Sequence, residues 1–415
     1  VVVLTTAGFV AAASAQSIEP AQLAAPQEHR GTIGIMPSLT IMNVGLDSNV
    51  FNESTDPKHD FTGTILPKAD ITFGRSRLRG FASTSFGGTL FSRYTEQNSF
   101  STLNTFAAEF AFHRLRPFVI GDYRRVHERP SLEVDTRVRR TEADGTVGAT
   151  LQLTPKTGVS ASTTLSSVTY GDAPSILGFT LQHQLDRDQQ VSALMIQQRL
   201  SPLTRLLLVA RREDTRFPFA PSRNGTATRI MPGVEFKPKA LVSGGLNVGV
   251  LAYRPAETFV PPFTGLIAAA NLKTVIAGDT ELIGTLTRDM QYSVDTRAYF
   301  VQTGVTATVT HYMNRRWSIT TTVDREALTY SMGGGPAIIP NPNPITLGDT
   351  LTVRFADTLL ARPDHVLNAA AGIGVRVNAD VRAVIGVGFN ERHAALPQSR
   401  YQNVRTLLTV TYVKH

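Results

Sequence analysis

Apolar and polar residues alternate along nearly the whole chain, in stretches of about ten to twelve residues. In residues 226–236 the even positions are mainly apolar or Thr, while the odd ones carry Arg229, Gly233 and Glu235. In residues 381–390 one face reads Val381, Ala383, Ile385, Val387 and Phe389, and the other is mostly small or polar. A period of two sends successive side chains to opposite faces of an extended chain, so each stretch predicts a half-buried strand. No apolar run reaches the roughly 18 residues that a spanning helix needs. Many such strands together predict an all-β transmembrane barrel, with lipid outside and polar side chains inside.

The connections sharpen this. Short turns at Gly74-Arg75-Ser76, Thr154-Pro155-Lys156-Thr157, Ser201-Pro202-Leu203-Thr204, Gly278-Asp279 and Asn378-Ala379 take turns with longer polar segments such as 48–60 and 171–189. That parity belongs to single antiparallel up-and-down barrels, which have short periplasmic turns and longer outer loops. The pattern predicts about eighteen strands over residues 32–415. Sixteen stays open, and twenty if residues 351–360 join the wall. An even count returns both ends of the wall to the periplasm. Leu181, His183 and Leu185 alternate as though a strand continues beyond the membrane, and segments 171–189 and 331–363 are the expected gates.

Composition adds an address. Residues 1–15 are an apolar stretch ending in Ala13-Ser14-Ala15, and they read as the remnant of a secretory signal peptide. Residues 16–31 then form a short periplasmic lead-in, and 32–415 the barrel. The chain has no cysteine, which excludes disulfides and thiolate chemistry. The net charge is +8. Two readings of that excess stay open: rims that pair with lipopolysaccharide phosphates, or a lumen that favours anionic solutes. The arginines are dispersed over alternating strands, so nucleic acid is not an expected partner.

Alternation also assigns facing. The expected lumen set is Lys68, Asp70, Arg79, Glu109, Arg140, Glu142, Asp144, Arg229, Glu235, Lys273, Asp289, Asp324, Glu326, Arg376 and Arg382. A basic residue on the lipid side costs about 2–4 kcal/mol at the midplane, so charges belong inside. There they either border water or pair across the lumen. Trp317 and Tyr412 are expected in the periplasmic aromatic girdle, and Tyr94 and Tyr292 in the outer one.

Catalytic and metal chemistry finds little footing. The nine His residues form no zinc motif. His183 near Asp186, Asp188 and Ser175, and His127 beside Glu128, are loose hydrolase candidates in loops. Asp47, Asn49, Asp56 and Asp60 do not match a Ca²⁺-loop spacing. No enzyme activity, metal or cofactor is expected.

Several stretches, in order, resemble the β-barrel porin-2 family of Gram-negative outer membranes. They are Gly45-Leu46-Asp47-Ser48-Asn49-Val50-Phe51, Ile65-Leu66-Pro67, Ser201-Pro202-Leu203-Thr204, Arg229 through Pro238 into Ala240-Leu241-Val242-Ser243-Gly244, Phe263-Thr264-Gly265-Leu266 and Thr287-Arg288-Asp289-Met290-Gln291-Tyr292-Ser293. The resemblance implies an outer-membrane barrel, in many cases tied to exopolysaccharide export, with no catalytic residues. It also implies lipid, lipopolysaccharide, the barrel-insertion machinery and polysaccharide-export proteins as partners. Such barrels commonly end on an aromatic residue, and here Tyr412 stands three residues from the end. The expected function is a hydrophilic pore for a polysaccharide or other polar solute. A non-conducting docking barrel and a surface hydrolase are the alternatives.

Overall fold

The computed structural model describes residues 33–171, 180–238, 240–258, 260–294, 299–330, 364–394 and 397–414. The wall opens with β1 (Ile33–Asp47), β2 (Asp60–Arg75), β3 (Leu78–Phe91), β4 (Ser99–Phe110), β5 (Leu115–Glu128) and β6 (Val138–Gln152). It continues through β7 (Thr157–Tyr170), β8 (Arg187–Arg199), β9 (Thr204–Arg216), β10 (Gly225–Phe236), β11 (Val242–Pro255) and β12 (Phe263–Ile276). It ends with β13 (Thr280–Tyr292), β14 (Tyr299–Tyr312), β15 (Trp317–Tyr330), β16 (Asp364–Arg376), β17 (Val381–His393) and β18 (Tyr401–Val413). Each strand pairs antiparallel with its sequence neighbours, and β1 also pairs with β18. Eighteen strands therefore form one closed sheet. Closure leaves no strand edge unpaired, the condition for spanning lipid with β structure.

The seam depends on one residue. Register shifts between Ile41 and Val44 against β18, and between Met42 and Gly45 against β2. Asn43 takes the left-handed conformation there, with φ of 55°. A Cβ on Gly45 would lie 2.1 Å from the Thr406 carbonyl oxygen, so only glycine lets the two strands meet. The next N–H, of Leu46, donates to Thr406 Oγ1 at 2.8 Å.

Connections run from two to five residues at one rim and from six to thirty-three at the other. Both ends of the wall, Ile33 and Val413, emerge at the short-turn rim. Segment 351–360 lies outside the described residues. The wall's outer face is apolar. Ile33, Ile35, Val147, Leu206, Ile385 and Val387 all stand exposed on one parity of their strands. Trp317 and Tyr412 share that outward parity near the short-turn rim.

One expected strand extension is a helix instead, α1 (Leu181–Leu185). Leu181 and Leu185 are four residues apart, on one helical face, and both are buried. They pack with Val134, Val138, Val168, Tyr170 and Val294, so burial of that face overrides the alternation.

Candidate functional site

Wall register places the fifteen sequence-predicted lumen residues on the inward parity, and most of them meet partners there. Lys68 pairs with Asp70 at 2.9 Å, Arg79 with Glu109 at 2.6 Å and Arg140 with Glu142 at 3.1 Å. Glu235 accepts from Arg205 at 3.2 Å, and Lys273 contacts Glu281 at 2.6 Å. Arg229 holds Glu213 at 2.7 Å and Asp289 at 3.4 Å. Asp324 accepts from Thr306 at 2.7 Å and Asn368 at 3.0 Å, and Glu326 accepts from Gln302 at 3.1 Å. Asp144 lies in register with Asp122, and Arg376 with Arg382 close to the short-turn rim.

Sequence reasoning missed the partners. Glu213, Glu281 and Arg205 sit inward as partners in three of these pairs, and Arg124, Glu128, Asp364 and Arg392 make further inward ones. Each shares the inward parity of its own strand, so a strict register would have found them.

Above the wall, two connections on the long-loop rim meet. The β5–β6 connection, residues 129–137, presents Glu133, whose carboxylate accepts from Ser293 Oγ at 2.5 Å and from the Val294 N–H at 2.8 Å. Ser293 and Val294 follow β13, which lies seven strands from β6 one way round the wall. From β14 to β5 the other way is nine strands. The contact therefore crosses the barrel mouth close to a diameter. Arg223, after β9, reinforces it by donating to Gln184 at 2.6 Å and to the Ser293 carbonyl.

The same connection reaches the opposite wall. Arg392 of β17 donates to Asp135 at 2.8 Å and to Asp364 at 2.9 Å. Arg129 donates to the Asp135 carbonyl at 2.7 Å and to the Val50 carbonyl at 2.9 Å. Burial pushes the Asp135 carboxyl above its usual range, although Arg392 and Arg129 oppose the shift. Burial likewise lowers Arg129, and brings Arg137 down to about 9 with help from the nearby Arg129 and Arg405 charges. At about 9 the Arg137 guanidinium stays cationic at neutral pH.

Three expectations change. Tyr292 is not in an outer girdle: its ring packs inside on Phe217 and Tyr253, and its hydroxyl donates to Thr215 at 3.1 Å. The β12–β13 ladder ends at Ala268 and Arg288, whereas β13–β14 pairing runs on to Tyr292 and Tyr299. The end of β13 thus leaves the wall and leans inward. Tyr94 lies past the end of β3, edge-on against Phe51 of the first connection, and so forms no part of a wall girdle. The third change concerns the gate. Residues 129–137 and Ser293–Val294 after β13 fold in, with α1 of segment 171–189 packed beside them. Segment 331–363 lies outside the described residues.

Among the described residues the loose hydrolase and cation candidates are engaged elsewhere, and Ser175 lies outside them. His127 occupies the outward parity of β5, while Glu128 points inward to Arg140 at 3.0 Å. His183 bonds Thr180 at 2.8 Å and abuts Phe219. Asp47 pairs with Arg405 at 3.0 Å, Asp56 with Lys58, and Asp60 accepts three backbone N–H groups.

A family model described as beta-barrel porin 2 matches residues 29–336. No curated protein matches the chain. Among solved structures, the chain is similar to OccAB3 of Acinetobacter baumannii, at 8% identity and a TM-score of 0.48, covering 92% of this chain and 99% of that one. It is also similar to OpdK of Pseudomonas aeruginosa, at 8% identity and a TM-score of 0.47, covering 92% and 100%. The siderophore receptor PirA of the same organism aligns at 6% identity and a TM-score of 0.44, over 92% and 80%.

Proposed function

Since the chain belongs to the beta-barrel porin 2 family, we propose that it forms a hydrophilic pore of the bacterial outer membrane for a polysaccharide or other polar solute. One observation carries this reading. A closed wall of eighteen strands turns its apolar parity outward and its ion pairs inward, a division that suits lipid on one side and water on the other. On this reading the long-loop rim faces outside and both ends of the wall lie in the periplasm. Lipopolysaccharide and the insertion machinery are its partners, and polysaccharide-export proteins would dock at the periplasmic side. The pore has no catalytic step.

The Glu133 contact across the mouth supports a second reading, a non-conducting docking barrel. Single-channel recording in planar bilayers separates the two. The pore reading expects small conductance in the native protein and a larger one in Glu133→Ala, because that change frees the two connections. Silence from both proteins at every voltage would sink it in favour of the docking barrel.

A further inference from the structure

Between the β5–β6 connection and the wall of β16–β18 lies a cleft of about 60 Å³, open on one side. Its lining is unusual in two ways. Arg129 and Arg405 both face it, and Arg137 stands near enough to feel both charges. Arg129 spends its hydrogen bonds on backbone carbonyls, which neutralise no charge, and Arg137 stacks on the Phe91 ring at 4.6 Å. Of the nearby carboxylates, Asp47 answers Arg405, and Asp135 is shared with Arg392. Positive charge is therefore in excess at this place.

The second feature is amide. Asn52, Asn368, Asn390 and Asn403 line the same cleft with Tyr401. Asn368 and Asn390 bond to each other, and Asn403 bonds Ser48 and the Asn49 carbonyl. The Oδ1 atoms of Asn52 and Asn390 are buried with no hydrogen-bond partner among the described residues. A buried amide oxygen without a donor costs about 1–3 kcal/mol, and a hydroxyl supplies the missing donor.

From this juxtaposition we infer that the cleft binds a polyhydroxy carboxylate. The Arg129 and Arg405 guanidiniums take the carboxylate, and the Asn52 and Asn390 amides take hydroxyls. A guanidinium matches a carboxylate in charge and shape, while amides both donate and accept, as hydroxyls do. The inference rests on the pore reading for its biological use, since it names the solute class. Binding is measured without ion flow, however, so the two can fail separately.

Titration calorimetry on the full folded chain in detergent micelles tests it, with D-glucuronate, D-glucose and sulfate as probes. Glucuronate is expected to bind at least about tenfold more tightly than either of the others. Arg129→Gln and Arg405→Gln should each weaken glucuronate about tenfold. Because Arg129 also holds the connection in place, Asn390→Asp is the sharper variant. It keeps the shape and adds a negative charge, so glucuronate should weaken more than glucose does, the ratio of the two affinities falling about tenfold. No heat with glucuronate overturns the inference. So does equal affinity for sulfate, or a glucuronate affinity that Asn390→Asp leaves unmoved.

Discussion

The two sides of the lumen are built from the same alternating strands, yet they become different materials. On the side of β10–β14 the inward parity carries Met231, Leu251, Tyr253 and Ile267, and these pack with Met290 and Tyr299 into a dry cluster. Leu251 has no exposed surface at all. Beside it Arg229 ties Glu213 of β9 to Asp289 of β13, reaching past two intervening strands. On the side of β16–β18 the inward parity reads Asn368, Asn390, Gly388, Asn403 and Leu407, and a cleft remains. The lesson is that alternation decides which way a side chain faces, while its volume and polarity decide whether that face becomes core or channel. Where large apolar groups face inward, the end of β13 can lean over and cover them. Where amides face inward, nothing is gained by excluding water.

The contrast breaks most easily at Arg229. Arg229→Ala leaves two inward carboxylates without their cation, a loss of roughly 3–5 kcal/mol for a buried pair. Unfolding by denaturant in detergent micelles reads this out; a loss under about 1 kcal/mol would mean that water already screens that side. Leucine gives the next test. Leu251→Ala should cost about 2–5 kcal/mol, because the packed cluster cannot collapse around the hole. Leu407→Ala removes the same atoms beside an existing cleft and should fall at or below the low end of that range. Equal losses would erase the distinction between the two sides.

The sequence made the wall readable because its rule is local. A period of two, with short turns between pairs of strands, needs no knowledge of distant residues, and it delivered eighteen strands over residues 32–415. The parity on which those strands carry their charges is legible for the same reason. What escaped was everything that leaves the wall. Tyr292 continues the outward parity of β13, yet it ends inside because its strand has parted from β12. Leu181 and Leu185 alternate as a strand would, but they also stand four apart, and a neighbouring apolar cluster chose the helix. Glu133 and Asp135 sit in a short polar connection whose length gave no hint that it would cross the mouth. Such contacts join residues about 160 and 257 positions apart, where periodicity carries no information.

Smaller effects sharpen the comparison at the two rims. Glu133→Gln keeps the shape of the bridge but removes its charge, and should weaken the tie to Ser293 and Val294 by about 1–2 kcal/mol. Cysteines placed at Val134 and Val294, which pack in one cluster, would read the opening as slower disulfide formation in Glu133→Gln than with Glu133 intact. At the short-turn rim the Arg79–Glu109 pair is just as close, at 2.6 Å, but Arg79 is 46% exposed. An ion pair with one partner in water loses most of its Coulomb energy to screening, so Arg79→Ala should change the unfolding free energy by less than about 1 kcal/mol. A loss as large as that of Arg229→Ala would show that depth in the lumen does not govern these pairs. Some property common to both rims would then have to explain why an inward charge is held so firmly.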